Sequence, residues 1–138
     1  MNRPGGRAGQ LAAWLPAVVW MALIFALSSG PSGAERLPRW WLFPGIDKLG
    51  HLFEYVVLAL LLRRPLKGTP LEAAAGHAGA VILVTSLYGA TDELHQYFVP
   101  SRSMELSDWI FDTLAAMLGA ALPLRRSATS PLRARPYK

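Results

Sequence analysis

From Leu11 to Leu27 the chain runs for seventeen residues without a charged side chain. At ~1.5 Å per residue that is about 26 Å of helix, enough for a thin or slightly compressed hydrocarbon core. A second run, about 47–64, starts polar and ends apolar. Asp47, Lys48, His51 and Glu54 occupy its first two turns, Val56 to Leu62 are wholly apolar, and Arg63, Arg64 and Lys67 close it. Helical spacing of i, i+4, i+7 and i+8 puts Asp47, His51, Glu54 and Tyr55 on one face. The third run, about 73–98, has the opposite polarity. It opens on small residues, Ala73 to Ala80, which permit close helix approach. Thr85, Tyr88, Asp92 and His95 or Gln96 then recur at three- and four-residue spacing as a polar stripe on its last turns. The fourth run, about 104–122, carries Asp108 and Asp112 one turn apart. Ser103 is its expected N-cap and Glu105 suits a first turn, while Gly119 and several alanines point to tight packing. No internal repeat and no period-two alternation occurs, so the pattern predicts an all-α chain of four helices.

The connections divide the chain into a polar arm at 1–10, a helical domain at 11–122 and a Pro- and Arg-rich tail at 123–138, expected to be disordered. The loop at 28–46 is punctuated by Pro31, Pro38 and Pro44, and its Trp40, Trp41 and Phe43 read as an interfacial aromatic belt. Gly30-Pro31-Ser32-Gly33 in it fits a protease serine motif only superficially; a turn is the simpler reading. Residues 65–72 form a tight turn and 99–103 a hairpin loop. A basic arm before an apolar stretch also fits a cleaved signal peptide, but later segments look equally membrane-spanning and the stretch is long for a signal core. His77, near the opposite end of its run from Asp92, reads as an interfacial or packed histidine.

Composition strengthens the membrane reading. Hydrophobic residues make up 52% of the 138 and charged ones 17%, against roughly 25% charged in ordinary soluble domains. The chain has no cysteine, so disulfides, thiolate chemistry and Cys-based zinc sites are excluded. The net charge of +5 sits at segment ends and in the tail, without interleaved aromatics, which favours anionic lipid headgroups over nucleic acid as the partner. Ten basic residues fall on one side of a four-span arrangement: Arg3, Arg7, Arg63, Arg64, Lys67, Arg125, Arg126, Arg133, Arg135 and Lys138. Four fall on the other: Arg36, Arg39, Lys48 and Arg102. The positive-inside rule then gives a polytopic four-helix bundle, multi-pass in the cytoplasmic membrane, with both termini inside, N-in and C-in.

That orientation collects the polar groups. Asp47, Lys48, His51 and Glu54, then Asp92, Glu93, His95 and Gln96, then Arg102, Asp108 and Asp112 all fall at the outer ends of their segments, together with Tyr55. One outward-facing polar pocket is the economical reading. First-turn carboxylates such as Asp47, Glu105 and Asp108 need no functional explanation. Asp92 and Glu93 oppose the dipole of their own helix, and Glu54 and Asp112 lie deeper, where an unpaired carboxylate is costly. Internal ion pairing could account for these groups; so could a ligand-binding or catalytic site. His51, Glu54, Asp92, Glu93 and His95 would suffice as metal ligands, but no HExxH-like spacing occurs and His51 and His95 could meet only across two helices, so no metal or other cofactor is expected. Acid–base hydrolysis of a lipid phosphate, with Arg102 and Lys48 on the phosphate, is an alternative. No lipid-phosphatase signature is complete.

The segments DKLGHLFEY at 47–55, YGATDELHQYFVPSR at 88–102 and DWIFDTLAAMLG at 108–119 resemble the VanZ-like membrane proteins. With SSGP after the first run and the SLYG lead-in, the resemblance covers about residues 14–122. It implies a four-span helical membrane domain of the cell envelope, associated through the family's founding member with resistance to the glycopeptide teicoplanin. Asp47, Lys48, His51, Tyr55, Asp92, Glu93, Gln96, Arg102 and Asp108 match the family's characteristic polar positions. Ser101, Asp112 and Ala115 depart from it, standing where Gly, Asn and Gly are usual. The expected function is recognition of an anionic lipid-linked or peptidoglycan-related ligand. The alternatives are a hydrolase or transferase acting on a lipid headgroup, and a structural helper of a membrane-protein partner or homo-oligomer.

Overall fold

A computed structural model of the protein describes residues 7–30, 46–100 and 102–123, the side chains of Arg7 and Asp47 excepted. The aromatic segment at 40–43, the Ser32 turn, Ser101 and most of the tail lie outside the described residues. Four α-helices follow in chain order: α1 Arg7–Ser28, α2 Ile46–Leu62, α3 Pro70–Tyr97 and α4 Leu106–Ala121. Among the described residues there is no strand.

The contacts give the directions of the helices. Ser86 of α3 meets Thr113 of α4 at 2.8 Å, and further along Glu93 accepts the Glu105 amide that precedes α4 at 2.8 Å. These two helices therefore run antiparallel. Arg63, just past α2, donates to the Gly119 and Leu122 carbonyls at the end of α4, while Lys48 at the start of α2 pairs with Asp108 at the start of α4. These two run parallel. The indole of Trp20 donates to the Glu54 carbonyl at 2.9 Å, and the Tyr88 hydroxyl to the Met21 carbonyl at 2.6 Å, tying α1 to α2 and α3.

The core is built on α2. Tyr55, Leu58, Ala59 and Leu62 are buried against Val81 of α3, Ala115 and Ala120 of α4, and Ala17 and Ile24 of α1. The small residues of α4 let its backbone close on α2. A Cβ added at Gly119 would stand 2.7 Å from the Ala59 Cβ and 2.8 Å from the Val56 carbonyl oxygen. Arg63 occupies the neighbouring end of α4, where last-turn carbonyls lack helical partners and a cation suits the dipole.

Two local expectations change. Thr69 and Glu72 start α3 three residues earlier than its apolar run: the Thr69 hydroxyl accepts from the Glu72 amide at 3.2 Å and the Glu72 carboxylate accepts from the Gly68 amide. This is a variant of the reciprocal capping box. Regular helix is then interrupted at Gly76 (φ 73°, ψ 163°), a conformation that L side chains rarely adopt. Ala73, Ala74, Ala75, Gly76 and Ala78 are exposed, so those small residues do not seat a helix of this chain. In α4 the N-cap is Glu105 instead of Ser103, with no side-chain cap bond. The amide that Ser103 would have served at this end goes instead to Glu93.

Among the described residues, two helices are long and apolar enough to cross a membrane, Ala8–Ser28 and Pro70–Tyr97. α2 has 17 residues and α4 has 16, about 24–26 Å of helix against an average ~30 Å hydrocarbon core. Both carry charged residues in their first two turns. The outer surface is nonetheless apolar on every helix: Leu15 and Val19 of α1, Phe53 of α2, Leu87 of α3 and Leu114 and Met117 of α4 are exposed. A surface of this extent is foreign to a soluble monomer.

Candidate functional site

The antiparallel order brings the end of α1, the start of α2, the end of α3 and the start of α4 to one end of the bundle, and there the polar side chains converge. On α2, His51 and Tyr55 lie one turn apart, both buried, with rings parallel to within 4° and centroids 6.2 Å apart. Lys48, a turn earlier, is half-buried and reaches α4, where it pairs with Asp108, with Glu105 at 3.5 Å and with the Ser107 hydroxyl at 3.1 Å. Glu54 is half-buried. Asp47 starts the same helix, but its side chain lies outside the described residues.

From α3, Asp92, Glu93 and Gln96 are buried and His95 is not. Both oxygens of Asp92 are engaged: Oδ1 accepts the Ser28 hydroxyl at 2.6 Å and Oδ2 accepts the Gln96 amide at 3.0 Å. The helix-opposing position of Glu93 is resolved by its neighbour. Its Oε2 accepts the Glu105 amide at the start of α4, where unpaired N–H groups and the positive dipole end favour a carboxylate. Asp112 of α4 lies fully buried with Oδ1 3.1 Å from His51 Nδ1. Gly89 of α3 makes room for it; a Cβ there would fall 2.9 Å from Asp112 Oδ2 and 3.3 Å from the Tyr55 ring.

The predicted constellation is therefore largely assembled: His51, Tyr55, Asp92, Glu93, Gln96, Asp108 and Asp112 are buried at one end, with Lys48 beside them. His95 stands apart. It stacks on Phe25 with centroids 4.2 Å apart, and its Nε2 meets the Ser29 hydroxyl at 2.9 Å, so it belongs to the seam between α1 and α3. Arg102, on the α3–α4 connection, is half-buried, and its Nε is sequestered without a hydrogen-bond partner. The same is true of Tyr55 Oη, Glu93 Oε1 and Asp112 Oδ2. His77 pairs with Glu72 at 2.6 Å at the other end of α3.

Sequence reasoning missed three participants. Ser28 sits in a Ser-Ser-Gly-Pro stretch that reads as a turn, yet its hydroxyl is the α1 contribution to the site. Gly89 supplies the space for Asp112, signalled only by a glycine within the polar stripe. The Glu105 amide carries no side-chain signal at all. No metal-ligand spacing in the sequence links His51, Glu93 and Asp112, yet one ligand atom from each lies within 4.8 Å of the others, on three different helices.

A family model described as VanZ/LLP1 matches residues 13–125. No curated protein and no solved structure matches the chain.

Proposed function

Because the chain belongs to the VanZ/LLP1 family, we propose that it is a four-crossing protein of the cytoplasmic membrane whose polar end recognises an anionic lipid-linked or peptidoglycan-related ligand. The observation that carries this reading is that four of the six buried side-chain polar atoms without partners among the described residues, Tyr55 Oη, Arg102 Nε, Glu93 Oε1 and Asp112 Oδ2, gather at this end, the other two being Arg63 Nε and Thr85 Oγ1. Each such group costs roughly 1–3 kcal/mol when left unmatched. A bundle needing only structural ion pairs would gain by replacing them with apolar side chains. Buried groups of this kind call for a functional or structural explanation, and a bound ligand supplies one. Among the described residues, Lys48 and Arg102 are cations at that end, suited to a phosphate or carboxylate. The exposed apolar residues of the shorter helices, Phe53, Ile110 and Leu114 among them, support lipid contact for α2 and α4 as well. The basic bias of the loops supports N-in and C-in, which turns the polar end outward. Its partners on this reading are membrane lipids and an envelope ligand, with teicoplanin tolerance as the family-associated phenotype.

Two measurements test it. Expressed in a teicoplanin-susceptible host, the protein should raise tolerance, and Arg102→Ala or Asp92→Asn should abolish that gain while leaving normal amounts of folded protein in the membrane. Tolerance unchanged by either substitution sinks the ligand reading. Because the chain has no cysteine, single Ser101→Cys and Thr129→Cys variants report topology by thiol labelling. Residue 101 should label from outside the cell and residue 129 only from inside. Labelling of residue 101 from the cytoplasm overturns the orientation.

A further inference from the structure

Ligand recognition uses the cations of the polar end, but the deepest part of that end is anionic. His51 of α2, Glu93 of α3 and Asp112 of α4 are 8%, 2% and 0% exposed, and one ligand atom from each lies within 4.8 Å of the others. We propose that these three side chains bind a single divalent transition-metal cation. The inference shares the orphaned oxygens of Glu93 and Asp112 with the ligand reading, but its test reads metal bound by the purified chain and not tolerance, so the two can fail separately.

Three observations carry it. First, the donor set is one imidazole and two carboxylates, the mixed nitrogen and oxygen set that suits zinc, manganese or iron(II) better than calcium or magnesium. Second, the spacing fits. Ligands about 2.1 Å from a common ion stand roughly 3.0–3.4 Å from each other, and His51 Nδ1 and Asp112 Oδ1 are 3.1 Å apart. Glu93, with three rotatable side-chain bonds, closes the remaining separation most easily. Third, each carboxylate has an oxygen that nothing satisfies: Glu93 Oε1 and Asp112 Oδ2 are buried without a hydrogen-bond partner.

The bland alternative is an ion pair between protonated His51 and Asp112. That arrangement balances one carboxylate and leaves the other, and it satisfies neither orphaned oxygen. A divalent cation on neutral His51 balances both. Lys48 is paired with Asp108 and Glu105, and both oxygens of Asp92 are engaged by Ser28 and Gln96. The glycine at 89 belongs to the same design, since any side chain there would press on Asp112. A metal so placed would also reconcile this acidic cluster with an anionic ligand, because a cation with an open coordination position attracts phosphate or carboxylate oxygen.

The test uses the full chain purified in detergent, stripped with a chelator and titrated with Mn²⁺ or Zn²⁺. One ion per chain should be retained after desalting. Glu93→Gln and Asp112→Asn should each weaken binding by at least about tenfold, since loss of even an outer-shell partner costs that much. Mn²⁺ bound to the unsubstituted protein should show nitrogen coupling by electron paramagnetic resonance, lost in His51→Gln. His77→Ala, which removes the half-buried His–Glu pair at the far end of α3, should change nothing. Failure to retain an ion, or affinity indifferent to Glu93→Gln and His51→Gln, or binding abolished by His77→Ala, overturns the proposal. Should Asp112→Asn fail to fold, Glu93→Gln and the resonance spectrum of the unsubstituted protein decide the matter.

Discussion

Ser28→Ala removes the hydroxyl that joins the end of α1 to the polar site. In the native protein Ser28 Oγ is buried and donates to Asp92 Oδ1 at 2.6 Å; a weaker contact to the Phe25 carbonyl, at 3.2 Å, is local to α1. Interhelical hydrogen bonds in membrane proteins average only ~0.6 kcal/mol, with an upper end near ~1.7, whereas bonds to charged partners in proteins generally run about 1.5–3 kcal/mol. A short bond to a buried carboxylate belongs at the overlap of those ranges, so the substitution should cost about 1.5 kcal/mol. Asp92→Leu removes the acceptor, after which the Ser28 hydroxyl can fall back on the Phe25 carbonyl. In that background Ser28→Ala should cost about 0.5 kcal/mol or less, giving a coupling near 1 kcal/mol in the double-mutant cycle. The assay is reversible unfolding in mixed micelles with increasing denaturing detergent, followed by tryptophan fluorescence. Trp20 reports the same helix, because its indole is held on the Glu54 carbonyl and its ring packs edge-on to Phe53. A cost below about 0.3 kcal/mol in the native background, or an equal cost with and without Asp92, would refute the claim that this bond docks α1.

Other perturbations probe other contacts. Gly119→Ala should destabilise the protein despite the better helix propensity of alanine: crowding against Ala59 and the rigid Val56 carbonyl costs about 1–3 kcal/mol, against a propensity gain of at most about 1; increased stability in the same unfolding assay would contradict it. Gly76→Ala meets no neighbouring atom, yet should lose about 1–3 kcal/mol from the backbone conformation alone, or straighten α3 locally; helical amide protection across residue 76 by hydrogen exchange would distinguish the two. Lys48→Ala leaves Asp108 buried beside Glu105 and should cost about 1–3 kcal/mol, between the value for an exposed pair and that for a fully buried one. A loss that disappears when Asp108→Asn is added confirms the partner, and an undiminished loss rules it out.

The linear order of residues determined the helical class, the number of helices and which end of each would be polar. Those properties follow from local physics: apolar runs of helical length, charged residues confined to their ends, and turn residues between them. The sequence also put Asp92 in a polar stripe with His95 or Gln96 through their spacing, and singled out Glu93 by its opposition to the helix dipole. It did not separate His95 from that set, because adjacent positions on a helix differ by about 100° and only a neighbour decides which of two polar faces is inward. Here Phe25 of α1 took His95 and the start of α4 took Glu93. The capping of α4 by a carboxylate twelve residues away, the space that Gly89 leaves for Asp112, and the meeting of His51, Glu93 and Asp112 are likewise products of packing. Each depends on two or three helices arriving at one point, and the backbone groups and empty volumes involved have no one-letter code.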